Sequence, residues 1–505
     1  MISGGVQLNK GLSIALLSTM LIGTMLGTSP VSAETQEKNN QIKNVIFMIG
    51  DGMGPSYTTA LRYLKDDQST VEMEDTGFDP YLVGMQSVYS ADPFYDGKQD
   101  DEKENITDSA AAATSMSSGI KTYNGAIAVD LEQEDTETVL EVAKAKGKST
   151  GLVATSEINH ATPAAYASHE HSRKNYSEIA DDYFDDLVNG KHKVDVLLGG
   201  GIDYFERKDR NLAQDFEKDG YQYVKTTDEL LKADGEQILG LFAPIGLEKA
   251  IDRPQEQPSL EQMTTKAIDV LSKNENGFFL MIEGSQIDWA GHDNDIVGAM
   301  SEMEDFEKAF NKAIEFAKED QHTLVVATAD HSTGGLSIGA NDVGFWDVDV
   351  IKAAKHTPDY MTRLIVEKEE DIQTVLTENI DFDVTEEEVK SVQAAIDNAS
   401  KEDLFTEVDN AIEHIFDERS GTGWTTGGHT GEDVPVYAYG PGAEMFAGKI
   451  DNTDNAKNLF QILGASSSEG AELADTATNY PASIFGGFFI LAVGGWLLYR
   501  NKTVH

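Results

Sequence analysis

The sequence predicts an α/β fold: a large, mostly parallel central sheet with helices on both faces, plus an acidic, helical, crown-like insertion. Three observations carry this. β-Branched apolar runs that end in glycine or an acid recur along the chain. Amphipathic helical stretches lie between them. One long segment breaks the alternation and becomes acidic and helical throughout. The runs are NVIFMIGDG (Asn44 to Gly52), STGLVATSE (Ser149 to Glu157), VDVLLGGG (Val194 to Gly201), GFFLMIEG (Gly277 to Gly284) and TLVVATAD (Thr323 to Asp330). Continuous apolar runs of this length read as strands buried on both faces, the pattern of parallel sheets. Thr136 to Lys146 and Ser301 to Lys318 read as helices between them. From about 340 to 420 there is helical spacing but no glycine-flanked strand, and VPVYAYG (Val434 to Gly440) resumes the strand pattern.

The two ends have their own character. Lys10, the apolar run from Gly11 to Gly27 and Val31-Ser32-Ala33 read as a signal peptide over 1–33, cut after Ala33. A catalytic domain is expected over 34–464 and a linker over 465–480. The uncharged stretch 481–499 is long enough for a transmembrane helix, and Arg500 and Lys502 in the tail 500–505 place that tail in the cytoplasm. The expected product is an exported protein on the extracellular face of the cell membrane, held by a C-terminal helix.

Charge narrows the function. With 88 acidic and 39 basic residues among 505, the formal charge is 39 − 88 = −49. Nucleic-acid recognition is excluded, because it rests on basic surface that displaces counterions. So acidic an exterior repels itself at low ionic strength, which implies halotolerance. Cysteine is absent, which removes disulfides and thiolate chemistry and leaves His, Asp, Glu and hydroxyl groups as metal ligands.

In an open α/β sheet, sites form beyond the carboxyl ends of strands. Asp51, Glu283 and Asp330 each stand there. Asp288 and His292 are four apart, so on a helical turn they share a face and can grip one ion. Asp330 and His331 are adjacent, and His429 is a free imidazole in the glycine-rich TTGGHTGED. Ser109 opens the alanine-rich TDSAAAATS, where Asp108 or Ser109 starts a helix and the free N–H groups of its first turn suit a phosphoryl oxygen. IGDGMG lacks both the spacing of a dinucleotide loop and a following lysine, so nucleotide binding is rejected for it.

The ordered set IGDGMG, TDSAAAATSMSSGIKTYNGAI, HATPAAY with SRKNY, EGSQIDWAGH, TADH and GGHTG resembles the alkaline phosphatase family over roughly Asn44 to Gly442. The resemblance implies hydrolysis of phosphate monoesters of broad specificity through a covalent phosphoserine, at a site of two zinc ions and one magnesium. It implies that Asp51 bridges the second zinc and the magnesium, that Asp288, His292 and His429 hold the first zinc, and that Asp330, His331 and the nucleophile Ser109 hold the second. Thr162 and Glu283 would complete the protein ligands of magnesium, and Arg173 would clamp two phosphate oxygens. Homodimers are common in the family; for this chain a homodimer and a monomer both stand as readings.

The chain departs from the best-known bacterial pattern at His160 and Trp289, which with Asp108 are read as lying behind the ligands, and at Thr333. His160 brings an imidazole near the third ion. His169 and His171 are read as surface residues flanking Arg173. Two other readings stand beside the phosphomonoesterase: a phosphodiesterase or sulfatase-like hydrolase on the same metal core, and a non-catalytic phosphate-binding surface protein.

Overall fold

A computed structural model describes residues 42–67, 69–91, 105–340 and 342–465. The signal peptide, the membrane span 481–499, the tail and the linker beyond Ala465 lie outside the described residues. No helix among the described residues is long and apolar enough to cross a membrane.

Ten strands form the central sheet: β1 (Asn44–Gly50), β2 (Leu82–Ser87), β3 (Ser149–Glu157), β4 (Val196–Gly200), β5 (Gln222–Val224), β6 (Ile238–Leu241), β7 (Phe278–Gly284), β8 (Thr323–Thr328), β9 (Val434–Tyr439) and β10 (Gly448–Asp451). Across the sheet they run β10-β2-β9-β8-β1-β7-β3-β4-β6-β5. Neighbours are parallel except where β9 pairs, antiparallel, with β8 and β2.

Period-two geometry divides each central strand between two cores. In β1, Ile46 and Met48 face one core while Val45, Phe47 and Ile49 face the other; β7 splits the same way, Phe278, Leu280 and Ile282 against Phe279 and Met281. Both sides are dry, which is why these strands read as unbroken apolar runs. The helices used below are α1 (Pro55–Lys65), α2 (Ser109–Ser118), α3 (Val139–Ala145), α4 (Ala161–Ala167), α5 (Leu260–Leu271), α6 (Gln286–Asp293), α7 (Ile296–Asp320), α8 (Val348–Lys352), α9 (Pro358–Val366), α10 (Ile372–Asn379), α11 (Glu386–Asn398), α12 (Leu404–Ser420) and α13 (Thr453–Ile462). α1, α5 and α7 cover the first face, while α3, α4 and α13 cover the second.

The acidic segment forms α8 to α12. Its apolar residues Met361, Val392, Val408, Ile412 and Phe416 are fully buried and continue the core of the first face. A two-residue ladder closes its base, with Ser337 opposite Gly423 and Ile338 opposite Thr422. A second ladder, Ser332 opposite Thr430 and Thr333 opposite His429, lies next to it and ties the far end of the segment to the end of β8.

Some elements differ from the reading of the sequence. Four strands, β2, β5, β6 and β10, carry no long apolar run: β5 is only QYV, and β2 is largely half-exposed. The helix expected over Ser301 to Lys318 begins five residues earlier. Asp295 caps it by accepting from Gly298 N at 2.8 Å, and the cap outweighs the low helix propensity of Gly298. α3 is shorter than expected, because Thr138 and Glu141 form a reciprocal capping box that sets its start.

Candidate active site

β8, β1 and β7 are adjacent, and their carboxyl ends carry Asp330, Asp51 and Glu283. Register aligns Ile49 with both Thr328 and Glu283, so three acids distant in sequence reach one rim at the centre of the sheet. The chain after β1 turns at Gly52, whose φ of +71° belongs to the left-handed region. Its N–H donates to Asp330 Oδ1 at 3.0 Å. A Cβ there would stand 2.9 Å from the Asp288 Cα, so glycine allows the β1 turn and α6 to close on each other.

α6 begins just beyond β7 and sets Asp288 and His292 one turn apart, with His292 Nε2 3.3 Å from Asp288 Oδ2. The Thr333–His429 pairing carries His429 to the same place: its Nε2 lies 3.2 Å from His292 Nε2 and 3.7 Å from Asp288 Oδ1. Each ring is turned by a carbonyl behind it. His292 Nδ1 donates to Gly427 O at 2.7 Å, and His429 Nδ1 donates to Thr107 O at 2.8 Å. A carbonyl only accepts, so Nδ1 carries a hydrogen in each ring and both Nε2 atoms are left facing Asp288. His429, expected to be a free imidazole, is therefore held on both sides. The carbonyls of Gly427 and Thr107 escaped the sequence reading, since every residue has one.

His331 stacks on the His429 ring with centroids 3.6 Å apart. Its Nε2 stands 3.2 Å from Asp330 Oδ2, 3.5 Å from Asp51 Oδ1 and 3.3 Å from Ser109 Oγ. Ser109 is the first residue of α2, and Asp108 is its N-cap, accepting from Ala111 N at 3.0 Å. The other oxygen of Asp108 accepts from Arg173 Nη1 at 3.0 Å, while Arg173 Nη2 lies 2.9 Å from His160 Nε2. Thr333 Oγ1 donates to Asp288 and contacts His331 Nδ1 at 3.3 Å, so this hydroxyl positions two candidate ligands at once. Trp289 meets the His160 ring edge-on at 6.0 Å.

Three groups of ligand atoms result, each within 4.8 Å: Asp288 with His292 and His429; Asp51 with Asp330 and His331; and Asp51 with His160 and Glu283. Thr162 stands at the start of α4, two residues beyond His160. The residues fit a set of cations. Both oxygens of Asp51, both of Glu283, Asp330 Oδ2 and Thr162 Oγ1 are buried without a hydrogen-bond partner. Each such orphan costs roughly 1–3 kcal/mol, a cost that bound cations would relieve. Electrostatics point the same way. Burial, then the charges of Asp330, Asp288 and Glu283, push the Asp51 carboxyl well up. Burial and the neighbouring acids push Glu283 up to about 8 and Asp330 up to about 7. Burial works upward on Asp288 as well, but the hydrogen bond and charge of His292 with the other imidazoles hold it below the ordinary range. His292 in return rises to about 9, chiefly through that bond.

His169 is not the surface residue expected. Its side chain is 11% exposed and links Ala128 O at 3.0 Å to Glu141 Oε1 at 2.9 Å. Glu141 also receives Lys193 Nζ at 2.9 Å. His171 is exposed, as read. Burial raises Glu141, but the His169 hydrogen bond and the charges of His169 and Lys193 hold it down to about 2. Burial lowers His169, and its bond to Glu141 raises it by more. The glutamate contribution is thus complete above 4.5 and fades toward pH 2, while that of the histidine is complete below 6.5 and fades as pH rises through its elevated value. Glu141→Gln is therefore expected to cost most near pH 5 to 6, on the order of 1–3 kcal/mol, and less at pH 9. Urea unfolding at the two pH values measures this.

Comparisons with known proteins agree with the geometry. A sequence model described as Alkaline phosphatase matches residues 42–465. Alkaline phosphatase 3 of Bacillus subtilis (strain 168) is 59% identical over 461 residues, covering 90% of this chain and 97% of that protein. The crystal structure of a cold-active alkaline phosphatase from a psychrophilic Shewanella superposes with a TM-score of 0.74 at 40% identity, covering 83% of this chain and 99% of that one. A mutant of TAB5 alkaline phosphatase, solved with Mg bound in the M3 site, superposes at 0.59 with 27% identity, covering 84% and 99%. With the motifs, the ten-stranded sheet and the clustered ligands in agreement, this chain belongs to the alkaline phosphatase family.

Proposed function

We propose that in the phosphate-monoester hydrolysis of this chain Ser109 is the nucleophile, and that the three ligand groups hold two zinc ions and one magnesium. Asp288, His292 and His429 would hold the first zinc; Asp51, Asp330, His331 and Ser109 the second; Asp51, Glu283 and Thr162 the magnesium. Imidazole with carboxylate is a donor set for zinc. Carboxylate with hydroxyl oxygen suits magnesium, the ion that the TAB5 mutant holds in its M3 site. In the third group the His160 Nε2 is already engaged by Arg173, which leaves that site to its oxygen donors. Bound there, such ions favour ionisation of a hydroxyl and of water, and they stabilise a departing alkoxide.

The observation that carries this reading is the placement of Ser109 Oγ 3.3 Å from His331 Nε2, within the group that Asp51 and Asp330 complete. The Ser109 hydroxyl gives up its proton to solvent as its oxygen bonds to phosphorus; the bond from phosphorus to the alcohol oxygen breaks, and that oxygen keeps the electron pair and takes up a proton. A water oxygen then bonds to phosphorus as the bond from Ser109 Oγ breaks, and a proton returns to the serine as inorganic phosphate is released. Asp108 aims Arg173 toward the phosphoryl oxygens, where a guanidinium makes a two-pronged contact that lysine does not. The test compares a chromogenic phosphate monoester with the corresponding diester and sulfate, alongside metal analysis. The monoester is expected to dominate, with activity lost on chelation and restored by zinc. A faster diester or sulfate would favour the sulfatase-like reading, and full activity after exhaustive chelation would remove the metal assignment.

Export with a C-terminal membrane anchor is part of the same proposal and rests on residues 1–33 and 481–499 of the sequence. Truncation before Ala482 is expected to release active enzyme from membranes; retention there would count against the anchor. The homodimer and halotolerance remain proposals that sedimentation, and unfolding across a salt series, test directly.

A further inference from the structure

Tyr57 is completely buried, yet it carries a hydroxyl where phenylalanine would fill the same space. It is the third residue of α1, a helix that starts at Pro55, four residues beyond Asp51. Its ring meets Trp424 edge-on at 6.4 Å, and its hydroxyl donates to the Thr333 carbonyl at 2.7 Å. α6 closes over the same oxygen, for a Cβ on Gly291 would collide with it. Gly291 lies between Asp288 and His292. The phenol is thus wedged between the helix that bears those two ligands and the short strand that faces His429.

The ladder itself does not hold the Thr333 backbone. Gly334 N donates to Gly428 O at 2.9 Å, so Thr333 and His429 are the non-hydrogen-bonded pair of this ladder. In such a pair the side chains stand closer and the backbone groups point away from the partner strand. Thr333 is tied from outside instead. Its N–H donates to Gly52 O at 3.2 Å, and its carbonyl accepts from Tyr57. Its Oγ1, held by this backbone, donates to Asp288 and touches His331 Nδ1 at 3.3 Å. Without the phenol hydroxyl a buried carbonyl loses its donor, and the backbone shifts to find another. That shift carries Oγ1 off Asp288 and disturbs the pairing opposite His429.

We propose that Tyr57 is a positioning residue for the hydrolysis: by pinning the Thr333 carbonyl it holds Asp288 and His429 in the arrangement that receives an ion. The proposal rests on the reading of Asp288, His292 and His429 as ligands, and the experiment below separates the two. Two members of that group answer to Thr333, Asp288 by a hydrogen bond and His429 by strand pairing. In the group of Asp51, Asp330 and His331 only the last touches it. The first group is therefore the one that suffers more when Tyr57 loses its hydroxyl.

The test titrates the metal-free full chain with zinc against a chromogenic chelator, and measures kcat and KM for a phosphate monoester at saturating zinc. Tyr57→Phe removes one oxygen and keeps the ring. It is expected to weaken the more affected zinc site by about tenfold and to lower kcat severalfold. KM should stay within about twofold, since Arg173 is held by Asp108 and His160 and not by Thr333. Thr333→Val removes the hydroxyl through which Tyr57 acts on Asp288, so the two changes together are expected to cost less than the product of their separate effects. Phe310→Leu is the control for general loosening, because it opens the same core beside Phe78 and Tyr437. It should lower the unfolding temperature of the metal-free chain at least as much as Tyr57→Phe and leave zinc affinity as in the parent. Zinc binding unchanged in Tyr57→Phe, effects that multiply with those of Thr333→Val, or an equal loss of zinc affinity in Phe310→Leu would overturn the proposal. A parent chain that binds no zinc would overturn the ligand reading itself, and this proposal with it.

Discussion

Ser109→Ala is expected to lower turnover of a chromogenic phosphate monoester about a thousandfold or more, in line with the loss of other enzyme nucleophiles, while the fold and the bound metal stay intact. The serine is 1% exposed at the first turn of a helix whose neighbours are alanines. Alanine is the better helix former, and the cap belongs to Asp108, so the backbone has no reason to move. What disappears is a single oxygen facing His331. Acid quenching after brief exposure to labelled substrate should trap phosphate on the parent chain and none on the variant. Undiminished turnover, or labelling that persists, would assign the nucleophile elsewhere.

Asp51→Asn is expected to be almost as damaging for a different reason. Its carboxylate is shared by two of the three ligand groups, so one neutral amide weakens two sites together. Metal analysis should find the affinity of the Asp288, His292 and His429 group nearly unchanged and the other two largely emptied, with turnover lower by at least about a hundredfold. Stability separates this from simple misfolding. In the metal-free chain Asp51 is raised well above its ordinary value, with Asp330 at about 7 and Glu283 at about 8. Carboxyls raised on folding bind more protons in the native state. The metal-free parent should therefore lose stability as pH rises from about 4, the ordinary carboxyl range, toward 8, and recover it when metal replaces the protons. Removing one of these charges makes the metal-free variant more stable than the parent at pH 8, whereas the metal-loaded variant is less stable. Thermal unfolding with and without metal reads this reversal; a variant less stable in both states would instead show ordinary damage to the core.

Much of the site was legible because chemistry and position coincide in short stretches. Asp288 and His292 declared themselves by a four-residue spacing that α6 realises. Asp51, Glu283 and Asp330 stood at the ends of apolar runs, and those runs became adjacent strands. Other features were not local. Nothing near His429 announces that it lies opposite Thr333, because that pairing closes over the whole acidic segment. His160 was read as lying behind the ligands, yet the fold groups it with Asp51 and Glu283 and engages it with Arg173. His169 had no apolar pattern to mark it as half-buried, since it lies in a loop and its partner Glu141 comes from α3. β9 looked like the other strands, for alternation records burial and not direction.

By itself, the sequence determined the α/β alternation, the family motifs and the residue types able to hold cations, since each depends on composition and short-range periodicity. The tertiary structure alone decided which acids lie together within one ligand group and how Asp108 turns Arg173. These outcomes depend on long-range pairing and on the loss of water around several charges at once. Burial changes the energy of a carboxylate only when its neighbours are known, and those neighbours are set by the order of strands in the sheet.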